Sequence, residues 1–295
     1  MIIDIHTHMF PSRIAAPALQ SMQLNSHIAL FSDGTEAGLA GCMRKAGIGL
    51  SVVQPVATNP EKVSRINDAA ILVNEHFRET GILSFGGIHP ACSYWEAELE
   101  RIREAGIIGI KLHPAYDHID TDDPRSIAIL RKCRDLNLIV LIHSGKDVGI
   151  PGATEALPSR IRNALDRVGP IRMIAAHMGG WKCWQEGKKL LPETGIFIDT
   201  SFALGVMEPA PDRYKWDEDD LRLLNREEFL ELLYAYGTDH VLFGTDSPWA
   251  DQAKEFGKIN ELPLPREEID RILGGNAKKL LSSAGIRVGG TAATD

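Results

Sequence analysis

Two histidines one residue apart close the chain's first apolar run, Met1-Ile-Ile-Asp-Ile-His6-Thr-His8-Met9. On a β-strand, residues i and i+2 share a face, so His6 and His8 present two imidazoles side by side at the strand's C-terminal end. Two nitrogens so placed are half of a divalent-metal site, although the pair alone fits a polar turn equally well. Later runs weigh in. One ends on Lys111 and His113, others on His143, His177 and Asp246, and the segment Gly-Gly-Ile-His89-Pro adds a further imidazole. Six of the ten histidines therefore stand at ends of apolar runs, while His27, His76, His118 and His240 fall elsewhere. A single buried histidine is ordinarily a hydrogen-bonded core residue; six converging on one rim point to metal chemistry.

His6, His8, His143 and Asp246 together offer three imidazoles and a carboxylate. That mixture suits Zn²⁺ best, with Fe²⁺, Mn²⁺ and Co²⁺ compatible by ligand type, and one ion is favoured over two. An open coordination position lowers the pKa of a bound water toward ~7. Asp246 is then ligand, proton acceptor or both, and His177 is a general acid/base or a ligand to a second ion. Lys111 and His113 share one side of their strand. Lys111 either holds an anionic part of a substrate or, modified by CO₂, bridges two metals; the first is favoured. His89 either contacts substrate or steadies the turn before Pro90.

These residues need a scaffold that gathers strand ends. Eight short apolar runs cover 1–9, 50–57, 82–90, 107–114, 138–145, 172–180, 196–202 and 241–249, with helix-like segments between them. Runs apolar throughout are strands buried on both faces, as in parallel sheets wrapped by helices. Eight strands alternating with helices predict an α/β fold, a (β/α)₈ TIM barrel whose active site lies at the C-terminal rim. Helices are expected over 61–79, 124–136, 225–236 and 265–283, from apolar spacing and from starts such as Asp123-Pro124 and Asn225-Arg-Glu-Glu. Two connections, 10–49 and 203–224, are long and fall at that rim; Arg13, Arg213, Tyr214 and Trp216 on them are candidate substrate contacts. A single domain over 1–284 is expected, followed by a frayed Gly/Thr/Ala-rich tail over 285–295.

Composition excludes other classes. The chain has 295 residues, 44% of them hydrophobic, and a formal net charge of -8. Mixed charge with an acidic balance argues against a nucleic-acid-coating surface. Cys42, Cys92, Cys133 and Cys183 show no C-x-x-C spacing, which suits a reducing cytosol. No signal-like segment precedes the first strand, and no apolar run approaches the ~18 to 20 residues that span a bilayer. A cytoplasmic enzyme with a small-molecule substrate is expected; a homodimer through the outer helices is left open.

The motifs Asp4-Ile-His6-Thr-His8-Met-Phe-Pro, Gly109-Ile-Lys111-Leu-His113-Pro, Ile142-His143-Ser, Ala176-His177-Met-Gly-Gly, Phe243-Gly-Thr-Asp246-Ser-Pro and Gly274-Gly-Asn276-Ala-Lys-Lys-Leu occur in this order over about 280 residues. Together they resemble the amidohydrolase superfamily, in its amidohydrolase-related (amidohydrolase family 2) branch. The resemblance implies a distorted (β/α)₈ barrel in which His6, His8, His143 and Asp246 hold a divalent metal and His177 is the catalytic or second-metal histidine. It implies a metal-dependent hydrolase of small amides, esters or lactones. The alternative is non-oxidative decarboxylation of a small unsaturated or aromatic carboxylate, as in aminocarboxymuconate-semialdehyde decarboxylase-like proteins. TatD-type deoxyribonucleases share part of the pattern but typically carry Glu where this chain has Lys111, which ranks that activity third. A barrel that binds metal without catalysis ranks last.

Overall fold

In the computed structural model of the chain, residues 1–286 are described. Parallel strands succeed one another around a closed barrel. β1 (Ile2–Thr7) pairs with β2 (Ile48–Val53), and β2 pairs with the first part of β3, Ile82–Ser84. The second part of β3, Gly86–Gly87, pairs with β4 (Gly109–Leu112). β5 (Ile139–Ile142), β6 (Met173–Ala175), β7 (Phe197–Asp199) and β8 (Val241–Leu242) continue the series, each parallel to its predecessor. The circle closes where the Ile5 N–H donates to Phe243 O at 2.9 Å and the Asp246 N–H donates to His6 O at 2.8 Å. This is the (β/α)₈ barrel that the eight apolar runs predict, and each run overlaps one of its strands. β3 is interrupted at Phe85, whose ring occupies the space above Gly109; a Cβ there would lie 2.6 Å from the ring.

Side-chain alternation splits the strands between two cores. Ile3, Ile5, Leu50, Val52, Leu141, Ile174 and Leu242 fill the barrel interior, joined by Ala277, Leu280 and Leu281 of the last helix (Asn276–Ser283). Val53, Ile110, Leu112, Val140, Ile142, Ile198 and Val241 belong to the larger cluster shared with the surrounding helices. Each such Ile or Leu, fully buried, contributes roughly 1.5–3 kcal/mol, and burial on both faces is why these runs lack polar alternation.

The helices follow their start signals. Asp123 caps Pro124–Asp135, accepting the Arg125 N–H, and Asn225 with Glu228 forms a reciprocal capping box on Arg226–Tyr236. The segment 61–79 is less regular than expected: a turn at Pro60–Lys62, a helix Val63–Glu75, and a short turn Phe77–Thr80 ending at the left-handed Gly81. Likewise 265–283 divides into Arg266–Asp270, a widened turn Arg271–Gly275, and Asn276–Ser283. At the C-terminus, Ile286 N–H donates to Leu281 O, and the remainder of the expected tail, 287–295, lies outside the described residues.

Both long connections cross the C-terminal rim and pack together. The first holds helices Ser12–Ser26 and Glu36–Ala46. Ala29 N–H donates to Glu208 O, Ala210 N–H donates to His27 O, and Ile28, Met207 and Leu223 share a cluster with Trp181 and Phe202.

Candidate active site

The pairing of β1 with β2 takes three steps from Asp4 to Thr7 against two from Ser51 to Val53. That bulge re-aims the strand where the histidines stand. The His6 and His8 rings lie 5.2 Å apart, on one face as their spacing predicts. Asp4 fixes this end of β1 to the segment carrying Asp246. Its Oδ1 accepts the His6 and Thr245 N–H groups at 3.2 and 3.1 Å, and its Oδ2 accepts Thr245 Oγ–H and Gln252 Nε2–H at 2.6 and 2.7 Å. Burial pushes the Asp4 carboxyl up to about 7, with these donors pulling the other way. Asp246 itself has φ +65°, and His177, beyond β6, has φ +58°. Left-handed backbone at non-glycine residues costs on the order of 1–3 kcal/mol each, and both of these residues line the rim cavity.

His6 Nε2, His8 Nε2 and Asp246 Oδ1 converge: Asp246 Oδ1 is 3.1 Å from His8 and 3.5 Å from His6. The other nitrogen of His6, Nδ1, donates to buried Asp199 Oδ2 at 2.9 Å. Ser201 Oγ–H also goes to Asp199, so both neighbours of Nδ1 accept from it and Nε2 carries the lone pair. A carboxylate behind an imidazole is how proteins fix the tautomer of a metal-binding histidine. Lys111 Nζ donates to His6 Nε2 at 3.2 Å from a fully buried position. Burial lowers its ammonium to about 8, and the same cause lowers His8 to about 4 and His177 to about 3. For Asp246, burial raises the carboxyl, but the charges of His6, His177 and His8 and the bond to His8 hold it well below the usual carboxylate range.

His143 stands apart from this trio. Its Nε2 faces the Lys146 carbonyl at 2.9 Å, its Nδ1 faces His177 Nε2 at 3.1 Å, and its ring stacks on His113 at 4.3 Å. His177 Nδ1 faces the Ser201 carbonyl at 3.1 Å and the Ser201 hydroxyl at 2.9 Å. Both ends of this chain are carbonyls, which only accept, so two neutral imidazoles carry one proton too few for the three contacts. One nitrogen is left facing another lone pair, and a cation within reach would relieve it. His113 Nε2 and His143 Nε2 lie 3.5 and 3.7 Å from Asp147 Oδ2.

The rim encloses a cavity of about 690 Å³ lined by His6, His8, Lys111, His113, His143, His177 and Asp246 at one end. Arg13, Trp181, Phe202 and Trp249 also line it. Trp216 does not: its indole N–H donates to His27 O at 3.2 Å, and it packs against the cluster that holds Ile28 and Met207. Tyr214 stacks on His27 at 3.9 Å, and neither it nor Arg213 reaches the cavity wall. His89 lies off the cavity as well, 3.6 Å from Asp117 and accepting the Ala91 N–H. Asp199 and Ser201, which hold His6 and His177 by hydrogen bonds, are not among the candidates named from the sequence. Asp199 ends the seventh apolar run by the same rule that singled out Asp246, so a signal for it existed.

The amidohydrolase family model matches residues 3–282. The chain belongs to the amidohydrolase family. It is a metal-dependent enzyme of that superfamily, and a divalent metal is the cofactor its family and its His/Asp ligand sites support. No curated protein matches it by sequence. Among solved structures, an uncharacterised TIM-barrel protein from Bordetella bronchiseptica is similar with a TM-score of 0.74 at 18% identity, covering 97% of this chain and 99% of that one. A 5-carboxyvanillate decarboxylase from Sphingomonas paucimobilis is similar at 0.64 and 14%, covering 95% and 98%. A dihydroxybenzoic acid decarboxylase from Polaromonas with bound manganese is similar at 0.62 and 13%, covering 95% and 96%. Likeness at such identities shows the shared barrel. The amidohydrolase's own residues fit a metal: three ligand-type atoms within 4.8 Å of one another, one of them held in its ligating tautomer by Asp199.

Proposed function

We propose that this amidohydrolase catalyses non-oxidative decarboxylation of an unsaturated or aromatic carboxylate, with one Zn²⁺ held by His6, His8 and Asp246. The observation that carries this is Lys111: a buried ammonium 3.2 Å from His6 Nε2, at the polar end of a cavity with largely apolar walls. Asp246, Asp199 and Asp147 meet part of this buried charge from the protein side, and the cavity side is open to an anionic substrate whose carboxylate lies between Lys111 and the ligand trio. A divalent cation there supplies Lewis acidity toward the substrate's oxygens. The apolar walls exclude water from the carbon that loses CO₂. Releasing CO₂ leaves an electron pair on that carbon, and one proton must arrive to complete the product. Asp246, partly open to the cavity beside His8, takes that proton from solvent and passes it to the carbon, returning to its ionised form. Decarboxylases among the similar folds support the same reaction class.

The firmly ionised Asp246 favours a second reading, hydrolysis of an amide, ester or lactone with Asp246 as base. Product analysis separates them. Metal-loaded protein is incubated with hydroxybenzoates and with simple lactones in deuterium oxide or heavy-oxygen water. Decarboxylation gives CO₂ and deuterium at the vacated carbon; heavy oxygen in a carboxylate product without CO₂ overturns it in favour of hydrolysis. The ligand types suit Zn²⁺, with Mn²⁺ the competing ion, and the four free cysteines suit a cytoplasmic setting.

A further inference from the structure

The metal-binding end accounts for only part of the cavity. Away from it, two helices contribute to the wall. Ile14, Ala18 and Met22, four residues apart, form a stripe along Ser12–Ser26, and Ile66, Ala69 and Val73 form one along Val63–Glu75. The first helix buries only Ala15, Leu19 and Ser26 in the protein, so its cavity-facing stripe is left to meet something else. Ile14 is 44% exposed and Leu72, also on the lining, 61%. The charged side chains of this part of the wall are Arg13, Lys62 and Arg65 against Glu36, all exposed, an excess of cations at the mouth. A volume of 690 Å³ falls within the ~300–1,000 Å³ of sites that enclose drug-sized ligands, well above the needs of one carboxylated ring.

We infer that the cavity takes an amphiphilic carboxylate: an anionic head between Lys111 and the His6–His8–Asp246 trio, and an extended apolar tail between the Ile14–Ala18–Met22 and Ile66–Ala69–Val73 stripes. The mouth's cationic excess draws the anion in, the buried Lys111 retains the head, and the two stripes take the tail out of water. This rests on the proposed function for where the head group lies; the tail rests on the helices alone. Substrates then carry an alkyl or aryl chain on the carboxylated unit, and chain length sets affinity.

Calorimetric titration of zinc-loaded protein with butanoate, hexanoate, octanoate and decanoate tests it, each repeated with benzoate as competitor. Affinity is expected to rise about three- to fourfold per methylene, with every acid displaced by benzoate. Ala18→Trp and Ala69→Trp, which fill the space between the stripes, should flatten the rise. Met22→Ala, which adds no bulk, should weaken decanoate about three- to tenfold while a thermal melt shows it folded. A flat series, a rise that survives both tryptophan variants, or decanoate that benzoate does not displace would each overturn the tail site. CO₂ release is read separately. Short aromatic acids decarboxylated alongside a flat series remove the tail and leave the reaction; a rising, competitive series without CO₂ release sustains the tail and removes the reaction.

Discussion

Asp199→Asn replaces one oxygen of a carboxylate that serves two sides at once. Its Oδ2 accepts from His6 Nδ1 at 2.9 Å, while its Oδ1 accepts the His177 and Ser201 N–H groups at 3.0 Å each and the Ser201 hydroxyl. An amide turned with NH₂ toward Oδ1's partners meets three donors; turned toward His6 it meets one. The second orientation is the cheaper, and His6 relieves it by moving its proton to Nε2. The lone pair that faces His8 and Asp246 is then replaced by an N–H. Altering the partner behind a ligating histidine typically costs 10–100-fold in metal affinity, roughly 1.4–2.7 kcal/mol. Competition for Zn²⁺ against a chromophoric chelator at neutral pH measures it, with a thermal melt of metal-free protein to confirm folding. Affinity within about twofold of the parent would refute the claim that Asp199 sets the His6 tautomer.

Other consequences follow from the same geometry. Lys111→Met should weaken a carboxylate inhibitor by about 10–100-fold, the loss of a charge-assisted hydrogen bond worth ~1.5–3 kcal/mol, as read by calorimetry. Since burial lowers the Lys111 ammonium to about 8, raising pH through that value removes the cation, so kcat/KM for an anionic substrate should fall on the alkaline side. A profile flat through pH 8 would contradict that role. Gly145→Ala should destabilise the fold by roughly 1–3 kcal/mol in a thermal melt, because φ is +92° and a Cβ would lie 2.3 Å from Trp181 N, in the bridge that seats the loop after His143. Trp216→Phe should leave KM within about twofold, since the indole lies outside the cavity, whereas Trp181→Ala should raise it.

Much of the fold was legible because its signal is local. Eight strands buried on both faces have no polar alternation to disguise them, and caps such as Asn225 with Glu228 announce helices within four residues. The convergence of His6, His8 and Asp246 was legible for a related reason: a barrel gathers strand ends, so a ligand-type residue ending an apolar run has a known destination. What escaped depends on rotation and distance. Nothing in Ile142-His143-Ser states that the His143 ring stacks on His113 and turns its Nε2 to Lys146 O. Asp4 and Asp199 act through the residues they hold, at separations of 241 and 193 positions from Thr245 and His6; the end of an apolar run marks Asp199 as a candidate, but no local pattern names the partner of either. Trp216 was on a rim connection as expected, but that connection pairs with His27 and Ile28, and the first connection takes the cavity wall.

Crystals of the zinc-loaded protein, measured for anomalous scattering on both sides of the zinc absorption edge, test the metal centre most directly. One peak is predicted, about 2.0–2.2 Å from His6 Nε2, His8 Nε2 and an Asp246 oxygen. A peak lying elsewhere, or none at this trio in protein soaked with the metal, would contradict the account.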